Sequence, residues 1–223
     1  MVTFEKDNLK CIGVGVDSEV VTYMIYPELE ELNENWLSKM AKDYNTSVVA
    51  IFVAPEDWNN ILTPWPEPGE FKGAEPFAGK AAGLLRNLQE DVIPEAEAQL
   101  NIKATRRNLI GVSLSGLFTL WQWLLCDTFH SIASLSGSFW YPGFMDWFNQ
   151  QSLPSKNGKA YFLLGIDEPK SHIKAYQSVG ENTLAVVDKL KSAGIATSFE
   201  WVPGNHFSRP IHRAEKAFMN LFG

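Results

Sequence analysis

Residues Asn108-Leu109-Ile110-Gly111-Val112-Ser113-Leu114-Ser115-Gly116-Leu117-Phe118 constrain the fold more tightly than any other stretch of this chain. A short apolar run suited to a buried strand turns sharply between Gly111 and Gly116 and continues as an apolar helix. A serine on such a turn has its hydroxyl pushed into the open above the carboxyl end of a parallel sheet, with the next backbone N–H aimed at the same spot. That is the geometry a nucleophile requires. In the pattern Gly-x-Ser-x-Gly, Gly111 and Ser113 fit, while Ser115 stands where the second glycine belongs and Gly116 follows it. The plainer alternative for Ser113 is a helix N-cap.

The flanking sequence repeats the same alternation. Residues 2–17 are glycine-punctuated, and Ile12, Val14 and Val16 alternate as leading antiparallel strands would. Residues 20–26 predict a buried strand ending at Pro27. Leu32, Trp36, Leu37 and Met40 then recur at helical spacing, and residues 47–53 predict a second buried strand ending before Pro55. Strand, helix, strand is what a parallel sheet requires. Residues 80–100 predict a helix kinked or restarted at Pro94. Strands follow at 131–136, 160–164 and 197–202, with helices at 182–193 and 213–222.

Residues 55–79 read as the longest irregular stretch, in which Pro64, Pro66, Pro68 and Pro76 interleave with Trp58, Trp65, Phe71 and Phe77. So many aromatics argue against disorder and predict a pocket wall, or else a surface loop pinned by aromatic anchors. The aromatics between Phe139 and Phe148 predict packing. No repeat, low-complexity tract or linker interrupts the chain, so one α/β domain over residues 1–223 is expected.

A net charge of −7 offers no basic stripe for phosphates, which makes nucleic acid an unexpected partner. No run of eighteen apolar residues and no leader-like amino terminus is present, so a cytoplasmic protein without a membrane partner is the expectation. Cys11 and Cys126 sit beside apolar residues and are read as core thiols.

In an open parallel sheet the loops at the carboxyl ends of the strands gather on one edge. Three such loops would present Ser113, then Asp167 and Glu168, then His206. A serine hydroxyl needs a base to take its proton during attack, and imidazole suits that task near neutral pH. A carboxylate behind the imidazole fixes its tautomer and stabilises the transient cation. His206 follows a predicted strand directly and neighbours a glycine turn, unlike His130, His172 and His212. Glu168 and Asp167, both just past the strand that ends at Gly165, are the candidate acids. Oxyanion donors are expected at the Leu114 N–H and, by topology, in the loop after Tyr26 at Glu28 or Leu29.

The order serine, acid, histidine is that of the α/β-hydrolase arrangement. From about Val20 onward the chain resembles the Putative esterase family of α/β hydrolases, the group that includes enterochelin-esterase-like proteins. The elbow 111–116 is similar to that family's turn, residues 134–140 (Ser-Leu-Ser-Gly-Ser-Phe-Trp) to its serine-rich strand exit, and 165–168 and 204–207 to its acid and histidine loops. Asp57-Trp58-Asn59 and Thr63-Pro64-Trp65 are similar to a loop of its esterases.

The resemblance implies an α/β-hydrolase fold: a mostly parallel twisted sheet with helices on both faces and a minimal lid. It implies a carboxylic ester hydrolase working through an acyl-enzyme, with Ser113 attacking, His206 shuttling the proton and Glu168 orienting it. Trp58, Trp65 and Trp140 would wall the pocket. A small-molecule ester is the expected partner, no metal or organic cofactor is implied, and a homodimer would supply further cover. The same machinery serves thioesters and amides, and Ser115 also prompts the reading of a non-catalytic binding protein that retains the fold.

Overall fold

The computed structural model describes residues 1–70, 73–153, 155 and 157–223. Phe71, expected in a pocket wall, lies outside the described residues.

The chain opens with a hairpin of β1 (Val2–Lys6) and β2 (Leu9–Val14). It turns at Asp7 and Asn8, which both adopt the positive φ that a two-residue hairpin turn demands. β3 (Val20–Tyr26), α1 (Glu34–Tyr44) and β4 (Ser47–Phe52) follow. Asn33 starts α1 by accepting the N–H groups of Asn35 and Trp36, and Asn45 ends it in the left-handed conformation.

Residues 55–79 are more regular than their prolines suggest. They form α2 (Pro55–Ile61) and a two-residue ladder between β5 (Pro66–Glu67) and β6 (Phe77–Ala78). Pro55 begins α2, where its missing N–H costs nothing. The helix expected at 80–100 is α3 (Ala81–Asn87) joined to α4 (Ile93–Gln99) by a π-helical turn over Leu88–Val92. Pro94 lies just inside α4, so its missing N–H falls at the widened turn, which the Ile93 N–H closes onto Leu88 O.

The remainder alternates as a parallel sheet requires: β7 (Arg106–Val112), α5 (Leu114–Leu125), β8 (Ser131–Leu135), α6 (Phe144–Gln150), β9 (Lys159–Gly165), α7 (Val179–Ser192), β10 (Ala196–Val202) and α8 (Pro210–Phe222).

Eight strands make one sheet in the order β1-β2-β4-β3-β7-β8-β9-β10. The pairs β1/β2 and β2/β4 are antiparallel and the rest parallel. From β3 the chain first moves outward to β4 and later returns to β7 on the other side. That reversal opens a crevice beyond the carboxyl ends of β3 and β7.

Side chains alternate across the sheet. Val21, Tyr23 and Ile25 of β3 face the core shared with α3, α4, α5 and α7, whereas Met24 and Tyr26 face the core shared with α1 and α8. Each buried Leu, Ile or Phe contributes about 1.5–3 kcal/mol, so burial on both faces fixes the register of these strands. Cys11 is buried, and burial pushes its thiol up to about 12. Cys126, expected in the core, is only half-buried at the end of α5. Among the described residues no helix is long and apolar enough to cross a membrane.

Candidate active site

β7 ends at Val112 and α5 begins at Leu114, so Ser113 alone makes the turn, with φ 57° and ψ −123°. A non-glycine residue held there stores on the order of 1–3 kcal/mol of strain. Three backbone bonds hold it. The Ser113 N–H donates to Leu135 O at 3.0 Å, and the Ser113 carbonyl accepts from the N–H groups of Leu117 and Ser138, each at 3.1 Å. Gly111 has to be glycine, because a Cβ there would lie 2.2 Å from the carbonyl oxygen of Ser115.

Ser115 does more than add bulk to this turn. Its buried hydroxyl accepts the Val112 N–H at 2.8 Å and donates to the carbonyl of Ile25 at 2.6 Å. The side chain in place of the expected glycine therefore ties the elbow to β3.

Glu168 opens a short 3-10 turn just after β9 and is buried. Its Oε1 accepts from the Gly165 N–H at 2.6 Å, the Ser136 hydroxyl at 2.6 Å and Arg213 Nη1 at 3.0 Å. Its Oε2 meets His206 Nδ1 at 2.9 Å. Burial pushes the carboxyl's pKa up, but hydrogen bonds from His206, Ser136 and Gly165 outweigh it and hold the group below the ordinary carboxylate value. With Nδ1 donating to Glu168, Nε2 of His206 is left as the basic nitrogen. Asp167, the alternative acid, is partly exposed and its Oδ1 pairs with Lys170 Nζ at 2.7 Å.

Ser113, Leu114, Glu168 and His206 all line one cleft of about 480 Å³, together with Asp167 and the aromatic side chains of Trp58, Trp140, Tyr176 and Phe207. That volume falls in the range of small-molecule sites. The Ser113 hydroxyl lies 3.5 Å from that of Ser138, and among the described residues no hydrogen bond joins it to His206. The Leu114 N–H belongs to the first turn of α5, where the helix itself supplies no acceptor.

Two expected site residues fall elsewhere. Glu28 is not among the residues that line the cleft, and its carboxylate pairs with Lys10 of β2 in solvent. Leu29 is likewise outside the lining. Trp65 stands behind the wall, donating its indole N–H to Pro142 O at 2.9 Å and packing against Tyr141 and Trp147.

Sequence reasoning passed over Ser136, Ser138, Tyr176 and Arg213 as members of the site. Tyr176 donates to Glu70 and its ring centroid lies 4.5 Å from that of Trp140. Arg213 carried a legible signal, since it sits on the stripe of α8 that also buries Ala214, Ala217, Phe218 and Leu221. A charge on an apolar stripe announces a buried partner. No cluster of three or more side chains able to hold a metal ion occurs among the described residues.

This arrangement offers a strained serine open to the cleft, a histidine oriented by a buried carboxylate, and the Leu114 N–H at a helix start. Together they are the parts needed for acyl transfer.

Known proteins bear on the same reading. A family model described as Putative esterase matches residues 31–198. The uncharacterized protein YbbA of Bacillus subtilis (strain 168) is 27% identical over 150 residues, an alignment spanning 66% of this chain and 60% of YbbA. The siderophore hydrolase EstB from Aspergillus nidulans superposes with a TM-score of 0.76 at 16% identity, covering 99% of this chain and 93% of EstB. An IroE-like serine hydrolase from Shewanella oneidensis gives 0.74 at 15% identity, covering 96% of this chain and 75% of that one. With the sheet order, these likenesses make the fold that of an α/β hydrolase.

Proposed function

Because the chain belongs to the Putative esterase family, we propose that it hydrolyses carboxylic esters through an acyl-enzyme, as one catalytic domain, with Ser113 as nucleophile, His206 as base and Glu168 as the orienting acid. The observation that carries this reading is the common cleft: Ser113 on its strained turn faces the same space as His206, whose Nδ1 is held by Glu168 at 2.9 Å.

In the first half-reaction Ser113 Oγ adds to the ester carbonyl carbon while His206 Nε2 takes the hydroxyl proton. The carbonyl oxygen becomes an oxyanion within reach of the Leu114 N–H. Collapse expels the alcohol, which leaves with the proton carried by His206, and the acyl group stays on Ser113. Water then adds to the acyl carbon by the same route, its proton passing through His206 to Ser113 Oγ as the acid departs. Glu168 keeps its charge throughout and stabilises the imidazolium at each turn. In ligand-free sites the bond from serine to histidine is often long and tightens when substrate binds.

The proposed substrate is a small-molecule ester of a size that the cleft of about 480 Å³ admits. EstB is named a siderophore hydrolase and the Shewanella protein a serine hydrolase, which supports hydrolytic chemistry on this fold.

A fluorophosphonate probe tests the proposal. Wild-type protein should be labelled stoichiometrically and Ser113→Ala not at all, with ester turnover lost in parallel. Failure of the wild type to label, where a control esterase does, would favour a binding protein that keeps the fold. Matched ester, thioester and amide substrates then rank the reactions, and faster turnover of thioester or amide would reassign the activity.

A further inference from the structure

Arg213 is 2% exposed on the buried stripe of α8. A guanidinium keeps its charge in any protein interior, so removing it from water is costly unless its donors find acceptors. Nη1 donates to Glu168 Oε1 at 3.0 Å and to the Ser136 hydroxyl, and it lies 3.5 Å from the carbonyl of His206. Nη2 donates to the carbonyl of Asn205 at 2.6 Å. One side chain thus ties together the exit of β8, the turn after β9 and the loop after β10.

We propose that Arg213 is a positioning residue of the reaction, acting through Glu168: it keeps that carboxylate ionised and oriented, and it fixes the loop that aims His206. The proposal rests on the reading of Ser113, His206 and Glu168 given above.

The two oxygens of Glu168 divide their work. Oε1 is taken by Gly165, Ser136 and Arg213, which leaves Oε2 for His206. Any partial rotation of the carboxylate would strain all four bonds at once. Among the described residues Arg213 is the one permanent cation in contact with Glu168. Asp167 turns outward to Lys170, and His212, next to Arg213 on α8, faces Glu215. From β3, Tyr26 sits near enough for the Arg213 charge to oppose the upward push that burial gives its phenol. Removing Arg213 leaves Glu168 buried with less positive charge beside it. The carboxylate then takes up a proton at higher pH, and a protonated Glu168 no longer supports the imidazolium.

The test compares Arg213→Met, Arg213→Lys, Glu168→Gln and the double variant Arg213→Met/Glu168→Gln on one neutral ester, with thermal melts to establish folding. In Arg213→Met we expect kcat to fall at least about tenfold with KM within about twofold of wild type. The acid limb of its kcat/KM profile should move up by roughly one pH unit or more. In the Glu168→Gln background the same substitution should cost clearly less than it does in the wild type, because the part of its effect that acts on the Glu168 charge is already gone and only its hold on the His206 loop remains. Arg213→Lys keeps the charge but loses the planar fork, so it should hold the acid limb in place while lowering kcat.

A folded Arg213→Met protein with a wild-type acid limb, or a loss that adds in full to that of Glu168→Gln, would overturn the proposal. If Arg213→Met does not fold, Arg213→Lys decides, and a wild-type kcat there would overturn it. Ester turnover that survives Ser113→Ala sinks the underlying reading as well. Turnover that depends on Ser113 but ignores Arg213 sinks this one alone.

Discussion

The hydroxyl of Ser115 donates to the carbonyl oxygen of Ile25 at 2.6 Å, joining the first turn of α5 to the neighbouring strand β3. The Ser115 hydroxyl oxygen also accepts the Val112 N–H at 2.8 Å, so one buried hydroxyl serves two backbone groups beside the turn at Ser113. Ser115→Ala leaves both groups short of a partner and should cost about 1–3 kcal/mol in a urea titration. Ester turnover should persist in the folded fraction, because Ser113 keeps its place. Abolished turnover in a fully folded Ser115→Ala protein would move the nucleophile away from Ser113.

Glu168 and Asp167 are adjacent in sequence and unlike in surroundings. Glu168 is buried and bonded to His206, while Asp167 pairs with Lys170 at the surface. Glu168→Gln should therefore lower kcat by roughly two to four orders of magnitude, the size of loss seen when a triad acid is made neutral. Asp167→Asn should stay within about twofold, since exposed pairs contribute little. Steady-state kinetics on a single ester compares them, and equal losses would refute the assignment of Glu168.

Stability should depend on pH through Glu168. Its carboxyl titrates below the ordinary value of 4.5 in the folded protein, because bonds from His206, Ser136 and Gly165 outweigh the opposing effect of burial. A depressed folded value stabilises the fold fully above the unfolded value and is lost as pH falls through the folded one. Tm should accordingly be level above about pH 5 and drop below about pH 4. Glu168→Gln should show a shallower drop across the same window, and an unchanged slope would remove Glu168 as its source.

Gly165 ends β9 where three segments converge. A Cβ there would lie 2.3 Å from the carbonyl oxygen of Gly204 and 2.8 Å from Arg213 Nη2. Neither neighbour can retreat without moving the loop of His206 or breaking the clasp on Glu168. Gly165→Ala should destabilise the protein by about 1–3 kcal/mol and lower kcat more than it raises KM. A variant with wild-type melting and turnover would show that this junction is looser than its contacts indicate.

Much of this molecule could be read from its sequence, for a physical reason. Ser113 and its turn are written in contiguous residues, where strand, glycine and helix signals sit side by side. Glu168 and His206 follow directly from strand ends, and a parallel sheet brings such ends to one edge whatever the intervening distance. Glu28 and Trp65 lie outside the cleft lining, since sequence position does not tell which side of a loop faces the site. Pro55 was read as the opening of an irregular stretch, although proline also begins helices. Arg213 is legible as a charge on an apolar stripe, but its partners, Ser136, Glu168 and Asn205, lie 77, 45 and 8 residues away along the chain and cannot be named from it. Only the tertiary fold makes them neighbours.

The backbone of Ser113 has a consequence for how this protein would respond to selection in the laboratory. Its φ of 57° is one that glycine adopts freely and serine does not. A glycine at 113 would relax the turn by on the order of 1 kcal/mol, and the resulting protein, stripped of the proposed nucleophile, would be the sturdier one. A screen that rewards heat resistance alone would drift toward an inert scaffold, so any effort to toughen this enzyme must select for turnover in the same round.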